Sequence, residues 1–175
     1  MVIVLFNILF IACYLFSFIG DVSVFGYSYT SDFITRISYM FAHRSFIHFA
    51  LSMFAFNYMA HQLKKTNRTY LIWVAMLIAF ISTFGSEEMM VTIGSSGLLY
   101  ALVGFPYAMA IIRKSLNLNN GIILAIIILS NIAYYLLGKP INVLLHLYSF
   151  LYAFLFTLII ELWQRTKNKK SISQN

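Results

Sequence analysis

Apolar residues fall into six long runs separated by short polar breaks: Val2 to Ile19, Phe46 to Leu63, Tyr70 to Phe84, Leu98 to Ile112, Ile122 to Leu137 and Ile141 to Trp163. A helix rises about 1.5 Å per residue, and a hydrocarbon layer is about 30 Å thick, so runs of this kind predict membrane-crossing helices. The expected fold is all-α, a polytopic bundle of six transmembrane helices. The breaks carry turn chemistry. Gly20 to Thr35 contains Gly26, Asp21 and Asp32 yet stays aromatic, which fits a loop dipping into the membrane interface. Lys64-Lys65, with Arg68 beyond, ends the second run, and Gly85-Ser86-Glu87-Glu88 closes the third. Gly94-Ser95-Ser96-Gly97 opens the fourth, which stops at Arg113-Lys114. A polar turn from Asn117 to Gly121 precedes the fifth run, and Gly138-Lys139-Pro140 follows it, with Pro140 suited to a first helical turn. Residues 1–164 read as one membrane domain, and residues 165–175 as a basic cytoplasmic tail without order.

Composition agrees with the pattern. The 175 residues are 61% hydrophobic and 10% charged, with a mean hydropathy of +0.83. Soluble domains average about 45–50% apolar and about 25% charged residues. The net charge of +7 does not point to nucleic acid, because the basic residues cluster at the ends of apolar runs. Nine of them follow runs two, four and six: Lys64, Lys65, Arg68, Arg113, Lys114, Arg165, Lys167, Lys169 and Lys170. Only Arg36, Arg44 and Lys139 fall on the other side. That asymmetry predicts both termini in the cytoplasm, with the glycine-serine stretch facing outward. The first run lacks a basic leader and a small-x-small cleavage pattern, so it reads as an uncleaved span. Six short-looped spans fit a multi-pass protein of a bacterial plasma membrane. The single cysteine, Cys13, excludes a disulfide framework and a thiolate metal site.

Polar residues inside an apolar bundle are costly and point to function. His61 lies beside the basic end of the second run and reads as interfacial. His43 and His48 stand at its outer start. His146 lies six residues beyond Pro140, roughly 9 Å below the outer surface at helical rise. Ser96 begins the fourth run on the same side, so serine and histidine share a depth. Gly97, Ala101, Gly104 and Ala108 form a small-residue stripe on one run, and Ser149 and Ala153 form another after His146. Such stripes let helix backbones approach closely in lipid. Two readings stand at this point: ordinary packing stripes around a satisfied core histidine, or a serine-histidine site. A zinc protease is disfavoured, because His-Glu-x-x-His is missing and His43 and His48 are five apart rather than four. A transporter is disfavoured because no lysine, arginine or carboxylate falls deep within a run.

The residues carry a family resemblance. Gly94 to Gly104 resembles the Gly-x-Ser-Gly start of the fourth span in rhomboid intramembrane serine proteases. Tyr39 to His48, with two histidines five apart, resembles the rhomboid entry into span two. His146, with small residues three and seven positions on, resembles the family's motif in span six. The resemblance covers about residues 36–160. It implies that Ser96 is the nucleophile and His146 its general base, with Tyr100 packed on the imidazole to orient it. His48, the Ser96 N–H, Gly94 and Ser52 would support the oxyanion. The acids agree with a dyad: Glu161 is 15 residues past His146, roughly 22 Å down the helix, and the other four belong to outer loops. The family pattern has an asparagine where Ser52 stands here, a Trp-Arg pair where Ile34-Thr35 stands, and glycines where Ser149 and Ala153 stand. The implied function is an intramembrane serine endopeptidase that cuts transmembrane proteins near the outer face. Its partners would be those substrates and the lipid bilayer, with no nucleic acid, metal or cofactor. The alternative is an inactive rhomboid-like protein that binds membrane segments without cutting them.

Overall fold

The computed structural model describes residues 1–86, 91–115, 125, 129, 132, 136 and 141–172. Among them the chain is all-α, with six helices: α1 (Val2–Phe16), α2 (Thr35–Ser38), α3 (Phe46–Lys65), α4 (Leu71–Ser82), α5 (Ser96–Ile112) and α6 (Val143–Ile172). These do not map one to one onto the six expected spans, because α2 is a single turn within the outer loop. Of the fifth expected span only Ala125, Leu129, Ile132 and Leu136 are described, each helical; the rest, with the turn at 138–140, lies outside the described residues. One described helix, Val143–Lys167, is long and apolar enough by itself to cross a membrane, while α1, α4 and α5 are apolar but shorter. The first run stops early because the chain tightens after Phe16: Ser17, Phe18 and Ile19 donate three residues back, to Tyr14, Leu15 and Phe16. The basic stretch from Arg165, expected to be without order, instead continues α6 to Ile172.

Local chemistry sets the helix ends. Ser45, extended at φ −134°, caps α3 by accepting the His48 N–H at 3.2 Å. At the other end Asn67 turns left-handed (φ 56°), and the Arg68 N–H reaches back to Leu63 O at 2.8 Å, which stops α3 cleanly. Lys64 and Lys65 sit in that last turn, where the helix dipole favours positive charge. Pro106 lies inside α5 and withholds one backbone N–H, a loss that packing within a bundle tolerates.

Lipid offers no hydrophobic drive between helices, so fit and polar pairing hold the bundle. On one side, α1 meets α3 through Phe6, Phe10 and Phe56, with the Phe6 and Phe56 rings stacked at 5.4 Å. Asn7 and Asn57 exchange reciprocal amide hydrogen bonds of 2.9 and 3.0 Å across the same interface. On the other side, α5 and α6 pack extensively, and the small-residue stripe is the reason. A Cβ on Gly104 would stand 2.6 Å from Phe150 O and 2.9 Å from the Ala153 Cβ. The opposite, basic end of this pair closes over Glu161, buried in α6. Arg68 Nη1 lies 2.7 Å and Arg113 Nη2 3.5 Å from its Oε1, as ion pairs rather than aligned hydrogen bonds. Arg165 Nη2 donates to Ile112 O at 2.8 Å beside them.

The outer loop is packed, not loose. Tyr27 and Tyr39 are fully buried and meet edge to face at 4.8 Å. Arg36, 5% exposed, donates from Nη1 to Thr83 O at 3.0 Å and lies over the Phe84 ring. An antiparallel bridge joins Tyr27 to Thr92, in the segment leading into α5.

The Gly104 contact is with backbone, which cannot swing aside. Gly104→Ala therefore forces α5 and α6 apart and costs about 1–3 kcal/mol, the usual penalty for overpacking. A lower midpoint of thermal unfolding in detergent micelles checks this; an unchanged midpoint would show that the helices part freely.

Candidate active site

The glycine-serine stretch enters α5 under tight control. Gly94 has φ +121°, a left-handed conformation that glycine alone adopts cheaply, and a Cβ there would lie 2.7 Å from His48 Cε1. The His48 imidazole thus rests directly on the Gly94 backbone. The Gly94 N–H donates to Tyr39 O at 2.9 Å, so it is already engaged. What Gly94 provides here is the space that the His48 imidazole occupies. Ser96 is the first residue of α5 and half-buried. The N–H groups of a first helical turn have no intrahelical acceptor, and the dipole there favours negative charge.

Tyr100 follows one turn later on the same face of α5. Its ring lies flat on the His146 imidazole, centroids 4.3 Å apart and planes 6° from parallel. Leu145, next to His146, comes within 3.3 Å of the point where a Gly97 Cβ would stand. The first turn of α5, with Ser96, and the first turns of α6, with His146, therefore run side by side. A stacked aromatic pair is worth about 0.5–1.5 kcal/mol beyond its area, which favours this orientation of the ring. Ser52 is buried in α3, one turn beyond His48. Asn57 does not serve this region, because both of its amide hydrogens are spent on Asn7 and Met53 O.

A serine-histidine contact is formed by the neighbouring residue Ser95. Ser95, fully buried, has its Oγ 3.5 Å from His43 Nε2, and His43 Nδ1 lies 3.1 Å from Phe41 O. A carbonyl only accepts, so Nδ1 carries the hydrogen and Nε2 accepts from Ser95. The His43 ring then meets the His48 ring edge to face at 4.8 Å. The resemblance assigns no role to Ser95 or His43; the spacing of His43 five residues before His48 is the one sequence signal for this contact. Asn142, four residues before His146, was also missed, since a lone asparagine after Pro140 gives no periodic cue. Serine at a helix start, an oriented imidazole and a second imidazole across from it can together supply the parts of acyl transfer.

Burial holds the His43 imidazole neutral, its pKa pushed down to about 3, with the nearby His48 adding to the effect. An unfolded histidine titrates near 6.5. Between those values the unfolded chain binds the extra proton, so stability from this group is whole above about pH 6.5 and declines as pH falls toward 3. Thermal unfolding in detergent across pH 7 to 4 should show this decline, and His43→Gln should flatten it. Equal slopes for both proteins would remove His43 as the cause.

A model of the rhomboid domain matches residues 30–162 of the chain. No curated protein matches it significantly.

Proposed function

The chain belongs to the rhomboid family of intramembrane serine proteases, and from that premise we propose that it is an active endopeptidase that cuts transmembrane substrates through Ser96 and His146. The family makes it a membrane protein and suggests transmembrane substrates. The observation that carries the reading is the parallel Tyr100–His146 stack, one turn below a serine at a helix N-terminus.

In this reading the Ser96 hydroxyl attacks the scissile carbonyl and passes its proton to His146. Negative charge then develops on the former carbonyl oxygen, facing His48 and the Ser96 N–H, with Ser52 contributing a hydroxyl from α3. Collapse of the tetrahedral species expels the amine, which takes the proton from His146, and leaves an acyl group on Ser96. Water, deprotonated by His146, then releases the acid and restores the serine. A peptide in a helix has its carbonyls engaged, so small or helix-destabilising residues near the cut favour attack. The charge asymmetry supports six spans with both termini in the cytoplasm and the site near the outer face of a bacterial plasma membrane. By family analogy, the bundle would open for substrate at the fifth span and its outer turn.

Ser52 favours one competing reading, an inactive rhomboid-like protein that binds membrane segments. It is 3% exposed and its hydroxyl reaches less far than the amide in the family pattern. Losing one oxyanion donor costs about 10²–10³ in rate. Purified wild-type protein should cleave a transmembrane reporter and label with a fluorophosphonate. Ser96→Ala and His146→Ala should abolish both, while Ser95→Ala should still label. Tyr100→Phe keeps the stacked ring; Tyr100→Ala should slow labelling by about two- to ten-fold, the rate equivalent of the lost stack. Wild type inert toward both probe and reporters, with uncut client proteins co-purifying, would establish the binding reading instead.

A further inference from the structure

Asn142 immediately precedes α6 and is 4% exposed, and its side chain is bonded at both ends. Its Oδ1 accepts the Leu145 N–H at 2.9 Å, which caps the first turn of α6. Its Nδ2 donates to Ser86 O at 2.7 Å and to Tyr27 OH at 2.9 Å, and lies 3.3 Å from Thr92 Oγ1. An amide nitrogen has two hydrogens, so the two short bonds take them and Thr92 shares the longer contact. The backbone carbonyl of Asn142 accepts the His146 N–H at 3.3 Å.

The partners are as informative as the number of bonds. Tyr27 and Thr92 exchange two backbone hydrogen bonds, of 2.8 and 3.1 Å, and Tyr27 OH also meets Ser86 Oγ at 3.0 Å. One buried amide thus joins the turn after α4, the outer loop, the segment entering α5 and the start of α6. Asn142 stands four residues before His146, and Thr92 four residues before Ser96. The knot therefore lies one helical turn's worth of chain from each. Below it, α5 and α6 meet at the backbone through Gly104 and Ala153 and through ring pairs such as Tyr107 and Phe150, contacts without hydrogen-bond direction. A slip of a single residue moves one helix by about 1.5 Å along the other. Proton transfer between side chains works over about 2.6–3.2 Å, so such a slip would take an imidazole out of reach of its serine.

We propose that Asn142 is a positioning residue that sets the depth of His146 relative to Ser96 by tying the start of α6 to the segment entering α5. The consequence for rate rests on the protease reading above; the consequence for geometry does not. Asn142→Asp and Asn142→Ser both keep a side-chain oxygen to cap α6 but lose the amide donors. With the full-length protein in detergent, each should lower kcat for a transmembrane reporter and slow fluorophosphonate acylation by about 10²-fold, the scale expected for a 1 Å misplacement, with KM changed less than about two-fold. The imidazole C–H resonances of His146, assigned by their loss in His146→Gln, carry the ring-current shift of the stacked Tyr100 and should move in both variants. Asn57→Leu, which breaks the remote pair with Asn7, provides a destabilised control in which those resonances stay in place. Unmoved His146 resonances in the two Asn142 variants, or kcat within two-fold of an active wild type, overturn the assignment. If the wild type proves inert, the protease reading fails while the resonance shift still decides the role of Asn142.

Discussion

The approach of α5 to α6 at Gly104 is the constraint on which the rest depends. In water, burying apolar surface would drive two such helices together; in lipid the tails are as apolar as the side chains, so only fit remains. Gly104 supplies that fit by letting the α5 backbone come against the Phe150 carbonyl and the Ala153 methyl. Everything at the site follows from this closeness. A Tyr100 ring lies flat on an imidazole from the neighbouring helix because the two backbones stand near enough for one ring to span the gap.

Backbone contact at small residues brings the helices close, and directional bonds add to the choice of register. The chain supplies register at the two ends. At the basic end, Glu161 of α6 faces Arg68 beyond α3 and Arg113 at the end of α5. At the other end, the Asn142 amide gathers the turn after α4, the outer loop and the segment before α5. Between these polar fastenings the interface is made of small residues and aromatic rings. Polar groups are expensive inside lipid, so concentrating them at the ends gives directional bonds at low cost.

The two serine-histidine neighbourhoods show how burial separates residues of identical chemistry. Ser95 and His43 are both enclosed, and His43 spends one nitrogen on Phe41 O and the other on Ser95. Ser96 and His146 lie on the half-buried side of the same turns, His146 against the ring of Tyr100. The inner pair braces the entry to α5 and supports the His48 ring from behind. Ser96 and His146 are thus less enclosed than Ser95 and His43. A glycine at φ +121° makes the division possible by turning the chain sharply just before the two serines.

Much of this was legible in the sequence. The apolar runs mark α1, α3, α4 and α5, and the start of α6, to within a few residues, because helix length in a bundle tracks apolar length. The small-residue stripes name the α5–α6 interface, since only a backbone-to-backbone approach needs glycine at Gly104. Periodicity and turn chemistry are local, and local patterns survive translation into structure. The roles of Arg36, His43 and Asn142 were not legible, because each is defined by partners distant in the chain: Thr83 for Arg36, Ser95 for His43, and Tyr27, Ser86 and Thr92 for Asn142. The extension of α6 through its basic end was hidden for the opposite reason, since polarity alone does not distinguish a solvated helix from a frayed tail. The sequence by itself determined which segments are helical, which faces are small and which residues carry reactive groups. Only the tertiary structure decided that Ser95 meets His43 and that Tyr100 stacks on His146, because such contacts depend on a few tenths of an ångström between segments whose relative height no local pattern encodes.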